Sequence, residues 1–326
     1  MAATDLEPSV ELLRMSSAAW LSQALGVAAK LGIADLLADG PKSLDELARE
    51  TESHAPSLYR LLRALASAGI FAENEQRQFE MTPLANGLRS DVPGSVRAVC
   101  ALRSLPWLWD AWGNLLHSIQ TGETAFNLLH GTDLFSYLGR DPDALSLFAQ
   151  AMGSLSATEV AAVLAAYDFS LFGTIVDVGG GRGYLLSAIL AAHPAARGVL
   201  FDLPSTVAQA PGILDGAGVR DRCEVVGGNF FDEVPGGGDL YVLKSIIHDW
   251  DDERAIAILQ TCRRSTIADA RLLLIERVVR AGNGPSFSKW MDLNMMVVAG
   301  GRERTEAEYR SLSSTHSPAS SSRGSS

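Results

Sequence analysis

Apolar residues recur at helical spacing over residues 11–37, with Leu12, Met15, Ala19, Leu21, Leu25, Ala28, Leu31 and Leu36 among them, which predicts a long amphipathic helix or a broken pair. Ser43 followed by Glu46 is a capping box that opens a short helix, and residues 57–68 form a second, Leu-rich one that Gly69 stops. Residues 70–71 and 78–81 read as short strands about the polar turn 73–77. Helices followed by a small hairpin are the order of a winged helix. Residues 91–169 are helical without strand alternation and dense in rings, Trp107, Trp109, Trp112, Phe126, Phe135, Tyr137 and Phe148 among them, as in a packed core or a pocket wall. From Thr174 the pattern switches to strands at 174–178, 198–201, 223–226, 239–243 and 271–275, alternating with helices at 184–192, 205–214 and 252–265. That alternation predicts an α/β fold, a parallel sheet wrapped by helices.

Composition narrows the function classes. The 326 residues are 47% hydrophobic and 20% charged, enough for two cores. Lys and Arg number 27 against 38 Asp and Glu, and the net charge of -11 repels a phosphate backbone. The second short helix of the winged unit carries only Arg60 and Arg63, so a structural or dimerising role is expected in place of nucleic-acid binding. No apolar run approaches the ~20 residues of a membrane span, and the acidic start lacks the order of a secretory signal, so a cytoplasmic protein away from membranes is expected. Cys100, Cys223 and Cys262 are widely spaced and predict neither a disulfide framework nor a Cys-rich metal site. Residues 311–326 hold nine serines and are expected to be a disordered tail.

Two segments carry the candidate chemistry. Asp177-Val-Gly-Gly-Gly-Arg-Gly183 lies between the first strand of the sheet and the helix after it, where glycines let a ligand approach the backbone and the helix start offers free N–H groups. Asp202 ends the next strand, where a carboxylate can take both ribose hydroxyls. The spacing Gly179, Gly181, Gly183 departs from the dinucleotide fingerprint, because Tyr184 stands where its third glycine belongs. Asp177 opposes a pyrophosphate and favours an ammonium group, so a nucleoside bearing an amino acid fits better. The second segment, Lys244-Ser-Ile-Ile-His-Asp-Trp-Asp-Asp-Glu253, puts His248 at the carboxyl edge of the sheet, where an imidazole can take a hydroxyl proton. Glu276 ends the fifth strand on the same edge and is the natural group to orient it. Asp251 and Asp252 read as caps of the following helix, and acidic clusters without paired histidines predict no metal site.

Together, Asp177-Val-Gly-Gly-Gly-Arg-Gly183, Phe201-Asp-Leu-Pro204, Gly228-Asn-Phe-Phe231, His248-Asp-Trp250 and Gly301-Arg-Glu-Arg-Thr305 resemble the small-molecule O-methyltransferases that use S-adenosylmethionine, of the caffeate, acetylserotonin and bacterial antibiotic-tailoring kind. The resemblance implies a winged-helix dimerisation domain over residues 1–95, a helical linker and pocket wall over 96–170, and a Rossmann-like catalytic domain over 171–310. It implies a homodimer acting on a planar phenolic or polyketide-like hydroxyl. By position it assigns Ser156, Asp177, Gly179, Gly181, Asp202, Asn229, Phe230 and Lys244 to the cofactor, Met152, Asp249 and Trp107 to the substrate, and His248, Glu276 and Glu303 to catalysis without a metal. Asn229 stands where many relatives have Asp. The family continues past Thr305 through a helix and a closing pair of strands; here serines follow, so the fifth strand is expected as an unpaired edge. A nicotinamide-dependent oxidoreductase, a family member drifted to hydroxylation or decarboxylation, and a winged-helix regulator remain alternatives.

Overall fold

The computed structural model describes residues 7–314, so most of the serine-rich segment lies outside the described residues. The described chain divides into two compact units, one of residues 7–109 and 142–158, the other of residues 110–141 and 159–314. The helical stretch 96–170 is thus shared between them.

In the first unit the predicted N-terminal helix is broken twice, into Pro8–Ser16, Ala18–Leu31 and Ile33–Leu36. The second break falls at Gly32, which takes a left-handed conformation at the helix end. Ser43 and Glu46 form the reciprocal capping box and open Leu44–Glu50. Strand β1 (Lys42–Ser43) pairs with β3 (Gln78–Met81), which pairs with β2 (Phe71–Glu73), all antiparallel, and Ile33, Leu47, Leu62, Leu65 and Phe79 fill the core beneath.

In the second unit five parallel strands, β4 (Thr174–Val178), β5 (Arg197–Asp202), β6 (Cys223–Gly227), β7 (Leu240–Lys244) and β8 (Arg271–Ile275), stand in the order β6-β5-β4-β7-β8. Because β4 is central, the segments leaving β4, β5 and β7 emerge side by side at one edge of the sheet. The helix expected at 205–214 is instead two turns, Pro204–Val207 and Pro211–Gly216, because Pro211 has no N–H to continue the ladder. Residues 311–314, expected in the tail, belong to the helix Glu306–Ser314, which buries Tyr309 and Leu312 in the sheet core; the rest of the expected tail lies outside the described residues. Among the described residues β8 pairs only with β7 and is an edge strand, with Leu272 well exposed.

One expectation needs correction. Helix Pro142–Ala166 has 25 residues and an 18-residue window of mean hydropathy 1.3, long and apolar enough to cross a membrane by those measures alone. It is not a convincing span. Its Ala and Leu content raises the hydropathy, Ala151 is buried against Val99 and Leu102, and further along the charged Glu159 pairs with Lys244 and Arg277.

Gly26 marks the tightest helix contact in the first unit. A Cβ there would lie 2.1 Å from Ser104 Cβ and 3.0 Å from the Cys100 carbonyl oxygen. Gly→Ala in a helix ordinarily gains ~1 kcal/mol, but overpacking costs about 1–3 kcal/mol, so the clash decides the sign. Gly26→Ala is expected to lower the urea midpoint, whereas Gly216→Ala, with open space around it, holds or raises it; a midpoint raised by Gly26→Ala would contradict this packing.

Candidate active site

The glycine turn is shaped by the groups below it. Gly179 and Gly181 have φ of 71° and 61°, and a Cβ at Gly179 would lie 2.4 Å from Ile246 Cδ1. The turn is stitched to the next strand: Gly179 N–H donates to the Phe201 carbonyl at 2.8 Å, and Gly181 N–H donates to Asp202 Oδ2 at 2.9 Å. Asp202 Oδ1 accepts from Leu203 N–H at 2.7 Å. Burial raises the Asp202 carboxyl, and these backbone donors pull it partly back. Asp177 is buried at 2% exposure, its Oδ2 has no hydrogen-bond partner among the described residues, and burial pushes its carboxyl up to about 7 against the pull of Lys244.

These features fit S-adenosylmethionine: a glycine turn with no room for a side chain at Gly179, a carboxylate at the end of the next strand held by the turn, and a buried acid that a cation would satisfy. Phe230 reaches this turn, with Cε1 3.7 Å from the position of a Gly179 Cβ. Asn229 is exposed and accepts from Phe231 N–H at 3.1 Å, forming its own turn. Lys244 Nζ lies 2.6 Å from Glu159, a partner that sequence reasoning did not identify. Ser156, Met152 and Trp107 belong to the first unit, where Trp107 packs on the cluster of Val99, Leu102 and Ala151, Met152 is exposed and Ser156 half-buried.

The second half of the site follows β7. Ser245 takes φ of 54°, an uncommon conformation for a residue with a Cβ. The chain then turns so that the N–H groups of Ile246 and Ile247 donate to Glu276 Oε1 at 3.0 and 2.7 Å. His248 follows at 6% exposure. Its Nδ1 lies 3.0 Å from Glu303 Oε1 and 3.8 Å from Glu276 Oε2, and its Nε2 lies 3.5 Å from Asp249 Oδ1. A carboxylate only accepts, so Nδ1–H donates to Glu303 and Nε2 is left to face Asp249.

Burial alone depresses the imidazole, but Asp249, the hydrogen bond to Glu303, and the charges of Glu276 and Glu303 outweigh it and raise His248 to about 9. Burial raises Glu276 to about 7 and Asp249 to about 6, each opposed by His248. The structure thus brings together the four residues that the sequence placed near the reaction, and it draws Asp249 to the nitrogen opposite the two glutamates. His248, Glu276 and Glu303 each offer an atom within 4.8 Å of the others, which is also a donor set for a metal ion.

Sequence reasoning missed part of the support. Asp251 is the helix cap, accepting from Arg254 N–H at 2.8 Å, whereas Asp252 accepts from buried Arg304. Trp250 gathers a ring cluster, stacked with Phe135 at 5.3 Å and edge-on to Phe231 at 4.8 Å. The His-Asp-Trp spacing was visible in the sequence; the pairing with Phe135 was not.

Comparison with known proteins agrees with this arrangement. Residues 112–317 match the O-methyltransferase domain and residues 13–91 the O-methyltransferase dimerisation domain. The chain is 50% identical over 302 residues to phenazine O-methyltransferase PhzM of Lysobacter antibioticus, covering 92% of this chain and 88% of that one. The crystal structure of LaPhzM superposes with a TM-score of 0.92 at 48% identity, covering 95% and 93%. An O-methyltransferase from neocarzinostatin biosynthesis, NcsB1, solved with S-adenosylmethionine and 2-hydroxy-5-methyl naphthoic acid, has a TM-score of 0.77 at 35% identity, covering 90% and 89%. The nicotinamide alternative is not favoured. Both matched domains, and relatives aligned over nine-tenths of the chain, make this chain a member of the S-adenosylmethionine-dependent O-methyltransferase family.

Proposed function

We propose that the protein methylates a hydroxyl of a planar phenolic or polyketide-like metabolite, with His248 as general base and no metal ion. The observation that carries this reading is the buried imidazole whose Nδ1 is held by Glu303 while Nε2 faces away from both glutamates. Gly179, Gly181, Asp177, Asp202, Asn229, Phe230, Lys244 and Ser156 are proposed to hold the cofactor, and Asp249, Met152 and Trp107 the acceptor. S-adenosylmethionine, when bound, supplies an electrophilic sulfonium methyl. The ring cluster of Phe135, Phe231 and Trp250 suits a flat acceptor, in keeping with the naphthoic acid held by NcsB1 and the phenazine named for PhzM.

His248 takes the hydroxyl proton on Nε2, and Glu303 fixes the tautomer and steadies the imidazolium. A phenol of pKa ~10 gives its proton to an ordinary imidazole at a cost of about 5 kcal/mol, and raising the imidazole toward 9 removes most of that cost. The same rise leaves most of the imidazole charged at pH 7. The strength of the base and its availability therefore oppose each other, and rate climbs with pH.

The dimerisation domain is proposed to form a homodimer through the N-terminal helices, where Leu12, Leu13 and Trp20 are exposed at 67%, 67% and 76%. Small-molecule chemistry in the cytoplasm, with no nucleic-acid partner, fits the three free cysteines and the two lone arginines of the second short helix.

Two predictions follow from the site. With a phenolic and polyketide panel, mass spectrometry is expected to find a product heavier by one methylene. His248→Ala lowers kcat roughly 100- to 10,000-fold with cofactor affinity retained, and EDTA leaves the wild-type rate unchanged; full turnover in His248→Ala, or loss in EDTA restored by a divalent ion, would refute the mechanism. Second, kcat/KM is expected to rise with pH well beyond 6.5 toward an apparent pKa of about 9, because the cation must lose its proton to act. Glu303→Gln removes one cause of the rise and moves that limb to lower pH; a limb that stays at 6.5 in the wild type contradicts the assignment.

A further inference from the structure

Arg304 is the largest side chain wholly withdrawn from solvent, at 0% exposure. Its guanidinium donates through Nε and Nη2 to Asp252 Oδ1 at 3.0 and 2.7 Å, and through Nη2 to the Trp250 carbonyl at 2.9 Å. Nη1 donates to the carbonyls of Ile247 and Arg302 at 3.0 and 3.3 Å. The backbone of Arg304 is tied as well: it forms a parallel bridge with Val278, and its carbonyl accepts from Val279 N–H at 2.9 Å. Arg302 N–H donates to the His248 carbonyl at 2.9 Å.

One residue therefore joins three carriers. Its side chain grips the turn on both sides of His248, its backbone grips the strand exit two residues beyond Glu276, and its chain neighbour is Glu303. Among the described residues none of its hydrogen bonds goes to the imidazole or to either glutamate, so any effect on them passes through the backbone. We propose that Arg304 is a positioning residue that sets the distance between the imidazole and its two carboxylates, with Asp252 supplying the compensating charge. The proposal rests on the reading of His248 as base. A guanidinium suits the task because its planar fork reaches two carbonyls and a carboxylate from fixed directions, which an ammonium on a flexible stem cannot reproduce. Misplacement by about 1 Å costs roughly 100-fold in rate, so a clamp remote from the reacting atoms has leverage on kcat.

The test uses the full-length enzyme with S-adenosylmethionine and its best acceptor. Arg304→Gln is expected to lower kcat roughly 10- to 100-fold while KM for S-adenosylmethionine stays within about twofold, and Arg304→Lys does not restore the rate. Asp252→Ala, at a half-exposed position, gives a smaller loss in the same direction and decides the matter if the Arg304 variants do not fold. In a His248→Ala background, Asp252→Ala has no further effect, since the clamp acts through the imidazole. The proposal is overturned if Asp252→Ala and every folded Arg304 variant keep the wild-type kcat, or if Asp252→Ala costs the same factor with and without His248. Wild-type turnover in His248→Ala alone is a different result: it removes the base reading, and this role with it.

Discussion

An imidazole enclosed by three carboxylates is the constraint around which the second unit is built. Taking charged groups out of water costs several kcal/mol per ion unless each finds a partner, and the one imidazole is shared among Glu276, Glu303 and Asp249, so Glu276 and Asp249 hold their protons more tightly than in water. The surrounding backbone supplies the rest. Glu276 is held by two N–H groups of the turn that precedes the imidazole, and Glu303 N–H donates to Asp292 Oδ1 at 3.0 Å. Among the described residues Glu276 Oε2 and Glu303 Oε2 have no hydrogen-bond partner.

Parallel topology is what brings this cluster to the same sheet edge as the glycine turn. Asp177 pairs in register with Leu200 on one side and Val242 on the other, so the exits of β4, β5 and β7 lie next to each other. The glycine turn comes from the first exit, Asp202 from the second and His248 from the third. Strand order thus sets the turn and the imidazole on one edge of the sheet.

Much of this was legible in the sequence, for identifiable reasons. Strand Thr174–Val178 and helix Asp252–Ser265 show at the expected bounds because a buried apolar run and an Asp cap are local signals. The break at Pro211 was hidden by the apolar residues on either side of it, and the helix Glu306–Ser314 by its serine content. His248 and Glu276 were found from their place at strand ends, whereas Glu303, 55 residues beyond His248, was reached only through its motif. The pairings of Arg304 with Asp252 and of Glu159 with Lys244 are tertiary facts with no local signature, and so is the approach of Asp249 to Nε2.

The charge state of the imidazole decides whether the carboxylates do what their placement implies. Nitrogen NMR of protein labelled at histidine, with His248 assigned by its absence from the alanine variant, reads that state directly. The account predicts a ring still charged at pH 7 that loses its proton near pH 9 from Nε2 while Nδ1–H is retained. A ring already neutral at pH 7, or one that keeps its proton on Nε2, would contradict it.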